Sequence, residues 1–215
     1  AAVVVEPIQG ATGFKVPSTK WLEALRKRCA EVGALLIFDE IQTGFGRTGQ
    51  LFAIDTFGVT PDILCLAKGM GGGMPIGCFI SSKKNMDKLK DNPKLGHITT
   101  FGGHPVCCVA SLATLNTLIE DRNIIQSVER KEQIFRENLQ HSKIKEVRGK
   151  GLMLAVELDD PKHCQYLVEK GYERGLIMFF FLFTNTAVRL SPPLIISKEE
   201  IIKACSTIKN ILNEI

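Results

Sequence analysis

Two charged side chains stand at the ends of apolar runs in the first third of the sequence. Leu36-Ile37-Phe38 leads into Asp39-Glu40, and Ile63-Leu64-Cys65-Leu66-Ala67 leads into Lys68. Glycine follows closely in both places, as Gly44 and Gly69. Apolar runs of this length read as buried strands. In open α/β sheets, ligands bind at the carboxyl ends of the strands, so a carboxylate and an amine are delivered to the same edge. Taken singly, Asp39 reads as a cap or a loop ion pair and Lys68 as a surface lysine. Their matched placement points to chemistry. An amine nucleophile has to be available unprotonated, which burial and nearby positive charge favour. Such an amine forms a Schiff base with pyridoxal phosphate, whose ring is an electron sink while a buried carboxylate keeps its nitrogen protonated. Asp39 and Lys68 suit these two roles.

The elements that must position them alternate between strand and helix. Residues 3–6, 35–39, 62–67 and 76–81 read as strands. Residues 21–31 show helical periodicity, with Ser18 as N-cap and Gly33 after the last turn. This order predicts an α/β fold with a mostly parallel sheet covered on both faces. A helix over 105–120, opening on Pro105, and a second over 123–140 follow. Beyond them, strands over 144–147 and 152–158 flank the Gly149-Lys150-Gly151 turn. A helix over 161–174, strands over 176–181 and 188–190, and a helix over 198–213 complete a small α/β unit. The boundary is placed at residue 122, dividing a part of a large domain (1–122) from a small C-terminal domain (123–215).

Composition narrows the function classes. Of 215 residues, 45% are hydrophobic and 23% charged, the balance of a globular protein. A net charge of +4 spread along the chain gives no basic stripe for nucleic acid. No apolar run is long enough to span a membrane. The seven cysteines (29, 65, 78, 107, 108, 164, 205) show no CxxC spacing and read as reduced thiols of a cytoplasmic protein. His97 and His104 lack partners at metal-ligand spacing, so no metal is expected. The chain opens without Met, inside the apolar run Ala1-Ala2-Val3-Val4-Val5. A buried strand needs neighbours, so an upstream segment is expected.

The run Phe38-Asp39-Glu40-Ile41-Gln42-Thr43-Gly44-Phe45-Gly46-Arg47-Thr48-Gly49, with Pro61-Asp62-Ile63 and Leu66-Ala67-Lys68-Gly69, resembles the signature of class III pyridoxal-phosphate-dependent aminotransferases. That group includes the ornithine, acetylornithine and 4-aminobutyrate enzymes. Further segments match: Glu6-Pro7-Ile8-Gln9-Gly10, His97-Ile98-Thr99-Thr100-Phe101-Gly102-Gly103 and Arg189-Leu190-Ser191-Pro192-Pro193-Leu194. The resemblance covers essentially the whole chain and is to the C-terminal portion of such enzymes. It implies the large domain of a fold type I PLP-dependent transferase, incomplete here, followed by the small domain.

The resemblance also implies roles. Lys68 is the Schiff-base lysine and then the general base. Asp39 pairs with the ring nitrogen, Ile41 packs on a ring face, and Gln42 lies near the 3-hydroxyl. Thr100, with Thr99, binds the cofactor phosphate of a neighbouring subunit in a homodimer. Glu6 and Arg189 form a substrate pair in which the arginine fork takes the α-carboxylate of a 2-oxo acid. The implied reaction moves an amino group from an amine or ω-amino acid to a 2-oxo acid such as 2-oxoglutarate. Racemase, decarboxylase or aminomutase chemistry on the same cofactor, or a non-catalytic module keeping the fold, are the alternatives. The glycines of 69–73 read as a tight turn rather than a phosphate cradle. Two departures bear on substrate identity: Ala11-Thr12-Gly13 where the family often has Glu-Ala-Gly, and His104-Pro105 where it usually has Asn-Pro. The family's upstream phosphate loop and ring-stacking aromatic are not among these residues.

Overall fold

A computed structural model describes residues 1–215. They form two compact units, each discontinuous in sequence. The first comprises Ala1–Pro7, Pro17–Phe45 and Leu51–Arg122, and the second Ile8–Val16, Gly46–Gln50 and Asn123–Ile215.

In the first unit, β1 (Ala2–Val5), β2 (Leu35–Asp39), β3 (Ile63–Leu66) and β4 (Cys78–Ser81) pair in that order. The first three run parallel and β4 is antiparallel to β3, so the sheet is mostly parallel, as the alternating pattern predicts. Helix α1 (Thr19–Glu31) begins where Ser18 Oγ accepts the Trp21 N–H at 3.2 Å. It buries Leu22 and Cys29, two turns apart on one stripe. The short α2 (Ala53–Phe57) precedes β3, and α3 (Lys83–Met86) and α4 (Pro105–Glu120) follow β4. Coverage of the sheet differs from the expectation. Leu36, Phe38 and Leu66 are buried on one face of the central strands, but the outer strands are open on both faces: Ile80 is 54% exposed on that side, and Val4 66% and Phe79 48% on the other. Within this unit only the central strands are covered.

Asp62 ties the amino ends of the central strands together. Its N–H donates to the Leu36 carbonyl (2.8 Å), and its Oδ2 accepts the Leu36 N–H (2.7 Å) and Arg26 Nη1 of α1 (2.7 Å). Burial by itself would raise this carboxyl. The Leu36 N–H and the Arg26 guanidinium outweigh it and hold Asp62 below the ordinary 3.8.

The second unit contains α5 (Arg122–Asn138), whose first residue belongs to the first unit, then β5 (Ile144–Lys150), β6 (Met153–Leu158), α6 (Pro161–Glu173), β7 (Phe179–Phe180), β8 (Ala187–Leu190) and α7 (Lys198–Leu212). Its strands pair antiparallel in the order β5-β6-β8-β7. Alternation along each strand separates two faces. Leu154, Val156, Val188 and Leu190 point into a core shared with Val128 and Phe135 of α5, Leu167 of α6 and Ile208 of α7. The opposite face carries Arg148, Ala155, Glu157 and Arg189. Helix α7 starts with a capping box between Ser197 and Glu200. The strand expected over 176–181 is only Phe179–Phe180, because its partner β8 offers pairing to those two residues alone. At the β5–β6 turn, Gly151 has φ 61°, and a Cβ there would overlap the backbone of Arg47 and Thr48. Its N–H donates to the buried Glu132 Oε2 at 2.6 Å.

Asp62→Asn is expected to lower the stability of the full-length protein at neutral pH. The depressed pKa fixes the sign: the contribution is fully present above 3.8 and is lost as pH falls through the lower folded-state value. Urea midpoints of the two proteins should therefore differ near pH 7 and converge in acid. A difference independent of pH would refute a charge-based role for Asp62.

Candidate active site

The register of the parallel strands brings the site together. Val5 pairs with Phe38, and Asp39 with Cys65. Glu6, one residue past β1, is therefore level with Asp39, and Lys68 lies three residues beyond Cys65 of the neighbouring strand β3. The Glu40 N–H donates to the Cys65 carbonyl at 2.9 Å, carrying the ladder one residue past β2. Three adjacent strands thus bring Glu6, Asp39 and Lys68 to one carboxyl edge.

At that edge Asp39 is half-buried, and its Oδ1 accepts the Ile41 N–H at 3.0 Å. This turn fixes one carboxylate oxygen. Burial pushes the Cys65 thiol up, and the Asp39 charge adds to the effect. Ile41 and Gln42, half-buried, occupy the turn that follows.

Glu40 does something different, which the sequence reading missed. It is completely buried. Its Oε2 accepts the Ala53 N–H (2.5 Å) and the Thr43 hydroxyl (3.0 Å), and its Oε1 accepts the Ile54 N–H (2.8 Å). Burial pushes this carboxyl above the usual glutamate range while the three donors pull it back. Ala53 and Ile54 are the first residues of α2, whose N-cap Phe52 makes no side-chain cap. Glu40 satisfies those orphan amides from across the loop. Consecutive carboxylates on a strand point to opposite sides, so Asp39 serves the edge and Glu40 the interior.

Lys68 opens a 3-10 turn, Lys68–Gly71, with φ 46°. A left-handed backbone at a long-chain residue costs about 1–3 kcal/mol and persists only where its surroundings impose it. Here the Met70 N–H donates to the Ala67 carbonyl at 3.0 Å. Gly72, φ 56°, lies against α4 so closely that a Cβ would overlap Thr114 Oγ1. Gly72 is thus required by packing against α4 as well as by the turn. The Lys68 side chain is exposed and forms no ion pair within its unit. Thr99 and Thr100 occupy an exposed turn before α4, where the Thr99 carbonyl accepts the Gly102 N–H at 3.2 Å. Neither is hydrogen-bonded to the strand-end residues.

In the second unit, Arg189 on β8 sits with its guanidinium carbon 5.2 Å from the Phe14 ring centroid and 4.9 Å from that of Phe181. Its Nε is buried without an acceptor, and burial lowers its pKa. Arg47, also overlooked from sequence, donates from Nη1 to the carbonyls of Leu152 (3.1 Å) and Pro192 (2.5 Å). The residue spacing carried no signal for these partners, which are more than a hundred positions away. All seven cysteines are free, and burial pushes Cys164 and Cys205 up to about 12, which leaves both unreactive as nucleophiles. No group of His, Cys, Asp and Glu has the makings of a metal site. No helix is long and apolar enough to cross a membrane.

Comparison with known proteins places this geometry. The family model described as aminotransferase class-III matches residues 1–212. The chain is 40% identical over 222 residues to a putrescine aminotransferase of Pectobacterium atrosepticum, covering 100% of this chain and 47% of that protein. It is also 40% identical over 219 residues to an acetylornithine aminotransferase of Caldanaerobacter subterraneus subsp. tengcongensis, covering 100% and 54% respectively. Among solved structures, a Bacillus anthracis aminotransferase superposes with a TM-score of 0.91 at 32% identity, covering 100% of this chain and 52% of that one. An ornithine aminotransferase of Toxoplasma gondii, described as partly occupied by PLP at its active site, gives 0.90 at 36% identity, with 100% and 51% covered. The chain spans about half the length of the curated relatives it matches.

Glu40→Gln is expected to destabilise the full-length protein by about 1–3 kcal/mol, because an amide NH2 would face an N–H donor in a buried place. The check is a lower urea midpoint with an unchanged slope. An unshifted midpoint would mean that the loop is held by other contacts.

Proposed function

The chain belongs to the class III aminotransferase family, and from that premise we propose that the protein moves an amino group from an amine or ω-amino acid to a 2-oxo acid such as 2-oxoglutarate, with pyridoxal 5'-phosphate held at Lys68. The observation that carries this reading is the register that brings Asp39 and Lys68 to one edge of the sheet. The donor class is supported by the relatives named for putrescine and acetylornithine, substrates that present a primary amine at the end of a short chain.

The residues fit the cofactor. Asp39 has one oxygen fixed by the Ile41 N–H and the other open to a pyridinium N–H. Lys68 is exposed at the same edge, on a backbone that the turn holds in the left-handed region. When bound, the cofactor supplies an electron sink for electrons released at the substrate carbon. Lys68 Nζ would hold the cofactor through its aldehyde carbon, whose oxygen leaves as water, and, once freed by the substrate amine, would carry a proton between the substrate carbon and the cofactor. Asp39 would hold the proton on the ring nitrogen. Ile41 would pack on the ring and Gln42 would hydrogen-bond near its 3-hydroxyl. Thr100, with Thr99, would reach the phosphate of a neighbouring subunit's cofactor in a homodimer. Arg189 takes the α-carboxylate of the 2-oxo acid, and Glu6 is the other substrate-binding residue. The free thiols suit a reducing, cytoplasmic location.

Borohydride treatment of the full-length protein loaded with pyridoxal 5'-phosphate should label one peptide, that containing Lys68, and Lys68→Ala should abolish both label and turnover. A label on another lysine would overturn the assignment. Asp39→Asn should keep the cofactor but lower kcat by about 10²-fold or more. Near-normal turnover with cofactor bound would remove Asp39 from the mechanism.

A further inference from the structure

Two arginines share the face of the second unit's sheet opposite its helical core, since both Arg148 and Arg189 pair with Ala155. Their surroundings are opposite. Arg148 is saturated: Nη1 meets Glu157 at 2.6 Å and Glu146 at 3.5 Å, and Nε donates to the Gly13 carbonyl at 2.5 Å. Arg189 has no carboxylate within its unit. It is held by two aromatic rings, with Nε buried and unpartnered.

The strap Ile8–Val16 builds this arrangement. Arg148 grips it at Gly13, and the Phe183 N–H donates to the Ala11 carbonyl at 3.1 Å. Between and beside these anchors the backbone turns left-handed twice, at Gly13 (φ 94°) and Phe14 (φ 52°). A bulky residue with positive φ is an outlier that needs an imposed cause. Here the turn drives the Phe14 ring, wholly buried, onto the guanidinium of Arg189. Phe181 meets Phe14 edge to face at 4.9 Å and lies against the same guanidinium.

We propose that Phe14 and Phe181 are positioning residues that clamp Arg189, fixing its guanidinium plane so that the edge formed by Nη1 and Nη2 receives a substrate carboxylate. This rests on the reading of Arg189 as the carboxylate-binding group. Ring faces attract a guanidinium without neutralising it or occupying its hydrogen-bond donors. A carboxylate partner such as those on Arg148 would do both. The clamp therefore restrains the side chain while leaving its charge for the ligand. Two parallel N–H···O bonds require the fork to be held in plane. Removing a ring frees the fork to rotate, and the ligand must then order it.

The test uses the full-length protein with cofactor. Phe14→Leu and Phe181→Leu should each weaken binding of glutarate, a carboxylate probe without a reactive carbonyl, by about tenfold in calorimetry. They should raise KM for 2-oxoglutarate by a similar factor, with most of the loss in KM rather than kcat. KM for butanal, an acceptor without a carboxylate, should move less than twofold, and Phe181→Tyr should restore glutarate binding. In the wild-type protein with ¹⁵N-labelled arginine, the Nε–H resonance absent from Arg189→Lys should lie upfield, as two ring faces require. This readout holds even where a leucine variant fails to fold. Arg189→Ala separates the two ideas. If it weakens glutarate while folded leucine variants do not, Arg189 keeps its role and the clamp is refuted. If Arg189→Ala leaves glutarate binding unchanged, the carboxylate reading fails, and the clamp falls with it. An Arg189 Nε–H at the ordinary position also overturns the clamp.

Discussion

Parallel hydrogen bonding of β2 to its neighbours β1 and β3 fixes strand ends level with one another, and the chemistry follows from where those ends fall. A shift of one residue in β2 would turn Asp39 to the opposite face and put Glu40 in its place. The shift is opposed because Leu36 and Phe38 would then leave the buried face, at about 25 cal/mol per Å² of apolar surface exposed. Asp62 locks the other end of the same strand pair. The position of the carboxylate is thus decided by side chains that never approach a ligand.

The long signature from Phe38 to Gly49 accordingly divides its labour. Asp39, Ile41 and Gln42 face the edge. Glu40 and Thr43 build the interior of the loop and cap α2. The chain then leaves the first unit after Phe45, and Arg47 serves the second by holding two of its carbonyls. Residues from one motif therefore have three separate physical jobs, at the strand edge, inside the loop and in the second unit.

What sequence made legible follows the same division. The strands and helices that could be read were those set by local pattern: the apolar runs of β2 and β3, Ser18 ahead of α1, Pro105 at the head of α4. Asp39 and Lys68 were visible because each ends an apolar run. Glu40 was hidden because its partners, Ala53 and Ile54, donate backbone amides that no residue type announces. The aromatic hold on Arg189 was hidden for a related reason. Phe181 and Arg189 read as members of two separate strands and Phe14 carried no signal of its own, and only the antiparallel return of β8 and the turn at Gly13 bring them together. The apolar run over 176–181 suggested a longer strand than forms, since a strand's length is set by its neighbour as much as by its own residues.

The discontinuity of the second unit has a consequence for how the molecule is made. Its strap, Ile8–Val16, and the short stretch Gly46–Gln50 emerge from the ribosome long before Asn123–Ile215, against which they pack. At roughly 5–20 residues per second, the strap waits on the order of ten seconds or more for its sheet to exist. During that wait Ile8 and Phe14, both fully buried in the finished protein, have no core of their own to enter. Contacts so distant in sequence also slow the search that closes them. Vectorial synthesis thus leaves the early apolar segments without their core until Asn123–Ile215 arrives, and loss of that stretch would leave Ile8 and Phe14 exposed.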